Sequence, residues 1–349
     1  MTKVSVHTEW DQLEEIIVGT MTGAQVPRPG PDLHAVEYPG LNHENDIPSG
    51  PYPQAIIDET NDELDALSGL LAGMGITVRR PTTRDNSALF STPDWSTDGS
   101  YDYCPRDGFL TVGQTILEAP MVLRSRRFEG EPYRELFHGY ADKGARWVAA
   151  PKPRLLDTMF NPAAGLGGRL ADHEPAFDAA NILRFGTDIF YLISDSGNES
   201  GLRWLQAFLG EPYTVHAARN LYASTHVDST IVPLRPGALL VNPSRVTSDN
   251  LPSFLSDWER IECPELVDTG FVGPVARAST WIGMNILMLG PGQAVVDRRQ
   301  PALIRTLERH GVDVVTSQLT HARTLGGGFH CVTLDVRRKG SLESYRVAG

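Results

Sequence analysis

One weak pattern, repeated five times, constrains this chain more than any single motif: an apolar strand, a second strand reached through a glycine-containing turn, an amphipathic helix and a closing strand. Three copies are clear. Strand Asn181–Phe185 passes through Gly186 to Ile189–Leu192, Ile231–Leu234 through Gly237 to Leu239–Val241, and Ile286–Leu289 through Gly292 to Ala294–Val296. Their helices are predicted at 200–208, 251–261 and 301–310, leading into extended segments such as Tyr213–Val215 and Val312–Val315. A fourth copy starts at Phe109–Gly113, with a helix near 131–144 and a strand at Trp147–Val148. The fifth is split between the chain ends. Glu15–Val18 is its second strand, the helix covers about 54–73 with Ile57, Leu64, Leu67 and Leu71 at helical spacing, and Gly75–Val78 closes it. The missing first strand falls to Cys331–Leu334, so the repeats close on themselves as a propeller does.

The expected fold is therefore α/β, a five-bladed propeller of ββαβ repeats, forming one domain over 1–349. A closed repeat architecture accommodates 349 residues without a domain boundary. Gly and Pro concentrate at 20–53 and 81–96, which read as long surface loops.

Charge narrows the partners. Lys and Arg total 31 against 43 Asp and Glu, a net −12 that disfavours nucleic acid and anionic membranes, which need a basic face. No apolar run reaches about 18 residues, and the N-terminus lacks a secretory pattern, so a cytoplasmic protein is expected. The three cysteines, Cys104, Cys263 and Cys331, are far apart with no CxxC, which supports neither a disulfide framework nor a zinc site.

Residues at the starts of the repeats should converge at the centre. Those starts carry Cys331, Asp107, Asp178, His226 with Asp228, and Ser279. A thiol, a histidine and three aspartates suit one substrate group, a guanidinium, which carboxylates match in charge and geometry. A free cysteine titrates near 8.5, so Cys331 needs a neighbouring cation; lowering it by about two units takes roughly 2.7 kcal/mol, and both His226 and a bound guanidinium supply positive charge. Gly326–Gly328 before Cys331 could cradle phosphate, act as a hinge or permit a tight approach beside the nucleophile. The last fits best, because an apolar strand comes next rather than Lys-Ser/Thr and a helix. Cys104 and Cys263 read as packing residues, His330 as a supporting residue facing away from Cys331, and Arg337–Lys339 as solvated surface.

With these residues in view, the chain resembles the amidinotransferases of the pentein superfamily over nearly its full length. The resemblance begins at Glu9–Gly19 and runs through Cys104–Asp107, Phe177–Ala180, His226–Asp228, Asn242–Arg245, Trp281–Asn285 and Leu325–Cys331 to Thr333–Arg338. Within the family it looks most like the inosamine-phosphate branch of streptomycin-type antibiotic pathways. The segment Tyr222–Thr230 is shorter than in glycine-specific relatives, which should leave a wider mouth for a cyclitol. The resemblance implies Cys331 as nucleophile, His226 as general acid/base and Asp178 as its carboxylate partner. It also implies Asp107 and Asp228 as guanidinium ligands, Arg245 as partner of the donor's α-carboxylate and Ser279 as a further hydrogen-bonding group. Ala278 departs from creatine-pathway relatives, which carry a second serine there.

The reaction implied by the resemblance is a ping-pong transfer: the amidino group is taken from L-arginine, L-ornithine is released, and the group is delivered to an amine, foremost scyllo-inosamine 4-phosphate. No metal or redox cofactor is required, and a homodimer is expected. Glycine or lysine as acceptor, a hydrolase like arginine deiminase, and a non-catalytic binding pentein are the alternatives.

Overall fold

A computed structural model of the chain describes residues 3–346. Residues 1–2 of the N-terminal reading and 347–349 of the assigned domain lie outside the described residues.

The architecture is mixed α/β, built on five three-stranded sheets that share one wiring: an antiparallel pair followed by a parallel third strand. The first is Phe109–Val112, Thr115–Glu118 and Arg146–Ala149. The second is Ile182–Phe185, Asp188–Leu192 and Thr214–Ala218. The third is Ile231–Arg235, Ala238–Val241 and Glu259–Glu262. The fourth is Leu287–Gly290, Gln293–Asp297 and Asp313–Ser317. The split sheet joins the chain ends, with Thr333–Lys339 antiparallel to Gln12–Val18 and Thr77–Arg79 parallel to it. In the second sheet the tight turn depends on Gly186, whose φ of +69 an L side chain adopts only with strain and whose added Cβ would lie 2.0 Å from the Glu343 carbonyl oxygen.

Strand side chains alternate, and here both faces are apolar and buried. Ile182 and Ile189 pack with Leu110 and Leu117 of the first sheet, whereas their neighbours Leu183 and Phe190 pack with Ile231 and Leu239 of the third. Val232 and Leu240 meet Ile286 and Ala294 of the fourth. Leu287 and Val295 meet Ile16 and Val18 of the split sheet, and Ile17 and Leu334 meet Phe109 and Ile116 of the first. Each sheet thus shares a core cluster with the next, and the last shares one with the first.

The expected helices appear at Gln54–Gly73, Glu199–Leu209 and Pro301–Arg309. The predicted 131–144 helix is shorter, Arg134–Ala141 after a 3-10 turn. No α-helix forms at 251–261. Pro252 begins a single 3-10 turn, Ser253–Leu255, and the closing strand Glu259–Glu262 starts too soon for more. The 20–53 segment is also not merely surface. Its helix Pro31–Val36 buries Leu33 and Val36 against Trp95, Val122 and Leu155.

Two further expectations change at the C-terminus. The last strand begins at Thr333 rather than Cys331, because Val332 N–H donates to the Gly328 carbonyl and the Thr333 hydroxyl to that of Phe329, holding Cys331 in a turn. Arg338 is not solvated: it is 1% exposed, donating to Asp335 Oδ2 and to the carbonyls of Asp11 and Met288. Both faces of this strand are covered, so alternation brings no solvated side there; Arg337 is half-buried against Glu14 and only Lys339 is exposed. Among the described residues, no helix is long and apolar enough to cross a membrane.

Candidate active site

The strand starts do converge. Cys331, 1% exposed, lies in the turn before the last strand, and its thiol donates to Asp228 Oδ2 at 3.1 Å. Asp228 follows His226, whose backbone is left-handed at φ +57 and is held there by its own N–H donating to Asn181 Oδ1 at 3.0 Å. That strained backbone directs the imidazole back toward the second and first sheets. Nε2 of His226 lies 3.0 Å from Asp178 Oδ2, and Nδ1 lies 3.7 Å from Asp107 Oδ1. Asp178 is fixed through its other oxygen by the Val122 N–H.

Asp107 belongs to the short helix Pro105–Gly108, and its Oδ2 accepts from Arg126 Nη1 at 2.8 Å. Its Oδ1 is buried with no hydrogen-bond partner, an acceptor left for a donor not supplied by neighbouring side chains. Burial pushes the Asp107 carboxyl up, against the charges of His226 and Arg126. Burial also disfavours charge on His226, but Asp107, Asp178 and Asp228 outweigh it and raise the imidazole to about 9. At Asp228 burial likewise loses, here to the His330 hydrogen bond and the surrounding positive charge, and the carboxyl falls to about 2.

The thiol itself is held high. A hydrogen bond to the Cys104 thiol, burial and the charges of Asp228 and Asp107 hold Cys331 well above its ordinary value. The imidazole of His226 lies against Asp178 and Asp107. Cys104 is a packing residue as expected, yet it packs against the nucleophile candidate; Cys263 lies between the third and fourth sheets, its thiol pushed up to about 12 by burial. The glycines allow the tight approach: a Cβ on Gly327 would lie 2.6 Å from Cys104 Sγ, and one on Gly328 would lie 2.7 Å from the Asn285 side chain.

These groups border a cavity of about 360 Å³, lined among others by Cys331, His226, Asp228 and Ser279. Ala278 lines it too. Asp107 and Asp178 stand behind His226. Arg245 is not brought to the wall; its guanidinium lies 3.6 Å over the Tyr222 ring and donates to Thr230 Oγ1 and to the Ser229 carbonyl and hydroxyl. No carboxylate pairs with it among the described residues, and burial lowers its pKa.

Sequence reasoning named His330 only as a supporting residue facing away, and gave no role to Glu37, Arg277, Asn285 or Arg126. His330 does not face away: Nδ1 lies 3.2 Å from Asp228 Oδ2 and Nε2 lies 3.2 Å from Glu9 Oε2, because the residue sits in a turn, where strand alternation does not apply. The pair Glu37–Arg277, 2.8 Å apart, forms part of the cavity wall. Asn285 Nδ2 donates to Cys331 Sγ at 3.0 Å. Arg126 was visible only as one more arginine. The signal that could have found Asn285 was its register, two residues before a repeat's first strand, as for Asp107 and Cys331.

Over nearly its whole length the chain is similar to known amidinotransferases. Inosamine-phosphate amidinotransferase 1 of Streptomyces glaucescens is 61% identical over 347 residues, covering 99% of this chain and 100% of that protein. The L-arginine:L-lysine amidinotransferase of Pseudomonas savastanoi pv. phaseolicola is 38% identical over 357 residues, 99% of this chain and 97% of that one. The solved inosamine-phosphate amidinotransferase from Streptomyces griseus matches with a TM-score of 0.98 at 60% identity, covering 99% of this chain and 100% of the other. No protein-family profile matches the sequence.

Proposed function

This chain belongs to the amidinotransferase family, and on that premise we propose that it carries the amidino group of L-arginine on Cys331 to the amine of an inosamine phosphate, foremost scyllo-inosamine 4-phosphate, releasing L-ornithine. The chemistry rests on one arrangement: a thiol and a charged imidazole bordering a single cavity, with aspartates on both. The acceptor rests on the 61% identity to an inosamine-phosphate enzyme against 38% to a lysine-directed one.

In the first half-reaction the substrate guanidinium is held at the cavity wall by Asp228 and, reaching past His226, by the unpartnered oxygen of Asp107, reversing the negative field that keeps the thiol protonated. The sulfur bonds to the guanidine carbon while its proton passes to Asp228 Oδ2, to which it already donates. The carbon–nitrogen bond to ornithine then breaks, and protonated His226 gives the departing amine its proton. Neutral His226 next takes a proton from the acceptor amine as that nitrogen attacks the amidino carbon, and the departing sulfur recovers its proton from Asp228. Asp178 holds the imidazole orientation throughout. Ser279 contacts the donor from the cavity wall, and Arg245 reaches its α-carboxylate by turning out past Tyr222. All of these groups come from protein and substrates.

Incubation with arginine alone should leave one amidino group on Cys331 by intact mass, and no adduct under single-turnover conditions sinks the covalent step. With labelled arginine and a panel of inosamine phosphate, glycine and lysine, label should move to inosamine phosphate; citrulline and ammonia would instead mark a hydrolase.

The same reading takes the five sheets as blades of one ring, the pentein propeller, and the full chain 1–349 as its single domain, supported by the unbroken succession of shared cores. It includes a homodimer, to be checked by light scattering, and cytoplasmic residence, with which three free buried cysteines agree.

A further inference from the structure

We propose that Asn285 is a positioning residue for the nucleophile: it aims the Cys331 sulfur and keeps a hydrogen bond on it after the thiol proton has left. The inference rests on the covalent mechanism proposed for Cys331 and assigns a role to a residue which that mechanism does not use.

The fold brings Asn285 there. The 3-10 turn Thr280–Met284 ends at Asn285, two residues before the fourth sheet's first strand, Leu287–Gly290. Asp107 and Cys331 stand two residues before their own sheets' first strands, Asp228 three and Asp178 four, so Asn285 falls within the range of the other site residues whereas Ser279 lies eight before. Asn285 is 1% exposed, and close approach to it requires Gly328, whose added Cβ would collide with its side chain.

The contacts grip the nucleophile's turn at four points. The Asn285 carbonyl accepts from the Phe329 N–H at 3.0 Å, and Oδ1 accepts from the His330 N–H at 2.9 Å and the Cys331 N–H at 3.3 Å. Because Oδ1 must face those two donors, the amide cannot be turned around, and Nδ2 is left to donate to Sγ at 3.0 Å.

The chemistry gives this donor a function that packing alone does not need. The thiol has one proton and donates it to Asp228; once that proton has passed to the carboxyl, the sulfur has nothing left to donate and carries the developing negative charge itself. Asn285 is neutral and does not titrate, so its N–H stays on the sulfur in both protonation states and gains strength as negative charge develops there. The amide thereby opposes the groups that raise the thiol and fixes the direction from which sulfur meets the guanidine carbon.

Asn285→Asp separates this role from a structural one, since it keeps an oxygen for the two backbone N–H groups while replacing the sulfur's donor by an acceptor. The measurement is the pH dependence of Cys331 alkylation by iodoacetamide, which reads the thiol whether or not amidino transfer occurs. The midpoint in Asn285→Asp should rise by about one unit, slowing alkylation at pH 7 about tenfold, and kcat for ornithine release should fall more than KM for arginine changes. Asn285→Ala, which removes the donor without adding charge, should shift the midpoint in the same direction by less and serves if the aspartate variant does not fold. A wild-type alkylation profile in the folded variant overturns the proposal even where wild-type enzyme transfers the amidino group. A shifted profile in the variant, with a wild type that forms no adduct with arginine, would instead retain the role of Asn285 and reject the covalent mechanism.

Discussion

At the scale of single residues, the site is governed by competition between burial and near charge, and the winner differs from group to group. For His226 three aspartates defeat desolvation, raising the imidazole to about 9 from an unfolded value near 6.5. A folded pKa above the unfolded one means that the charged ring contributes stability in full below about pH 6.5 and loses it as pH rises through about 9. The difference in thermal midpoint between wild type and His226→Gln should therefore shrink between pH 6 and 10; a difference constant over that range contradicts the charged imidazole. For Cys331 no such rescue operates, and the thiol stays well above its ordinary value. Asp228 is central to that because it touches both Cys331 and His330. Asp228→Asn should lower kcat for ornithine release at least about a hundredfold, about 2.7 kcal/mol of barrier. Full activity in that variant would remove Asp228 from the proton path.

Elements explain why these residues are where they are. Asp107, Asp178, Asp228, Asn285 and Cys331 each stand two to four residues before the first strand of a sheet, so backbone geometry and not their own chemistry delivers them together. The turns that make the strands double back carry measurable load. Gly186→Ala would place a Cβ on a left-handed backbone and against Glu343, and should cost at least about 1 kcal/mol in urea unfolding, with an unchanged midpoint contradicting the described turn. Asn198 does comparable work at the start of Glu199–Leu209: Oδ1 accepts from the Gly201 and Ala176 N–H groups while Nδ2 donates to the Ala171 and Glu174 carbonyls. Asn198→Ala should cost about 2 kcal/mol by the same measurement, more than a simple cap, because two half-buried carbonyls lose their donor as well.

Over the whole molecule, the five sheets meet not only through apolar clusters but through a buried charge network beneath the site. Arg184 clasps Glu9 and Asp335, Arg106 pairs with Asp335, and Arg338 donates to Asp335 and to a carbonyl of the fourth sheet. Glu9 in turn contacts His330, which contacts Asp228, so the network runs up to the sulfur. Neutralising its centre by Asp335→Asn removes the carboxylate that three buried arginines share, leaving Arg184 and Arg106 with Glu9 and Arg338 with carbonyls, and should destabilise the protein by about 3–5 kcal/mol. A small loss, with His330 and Asp228 undisturbed in a structure of the variant, would show that the network is not what holds the centre together.

Hydrophobic periodicity was enough to read five strand–turn–strand units, their closure across the chain ends, and the alignment of Cys331, Asp107, Asp178, His226 and Asp228, because these depend on local spacing and on the repetition of one unit. It failed where an outcome depended on what arrives from elsewhere. The 251–261 segment has helical spacing, yet Pro252 and the early strand leave room for one turn only. Arg338 reads as surface until a neighbouring sheet covers its face, and His330 reads as turned away until the hydrogen bonds around Gly328 and Phe329 convert the expected strand into a turn. Residue types and spacing thus determined by themselves the repeats and the chemistry offered to a guanidinium. Only the tertiary structure decided the protonation of that chemistry and the partners that aim it, since pKa values and orientation depend on distances of a few ångströms between groups up to hundreds of residues apart in the chain.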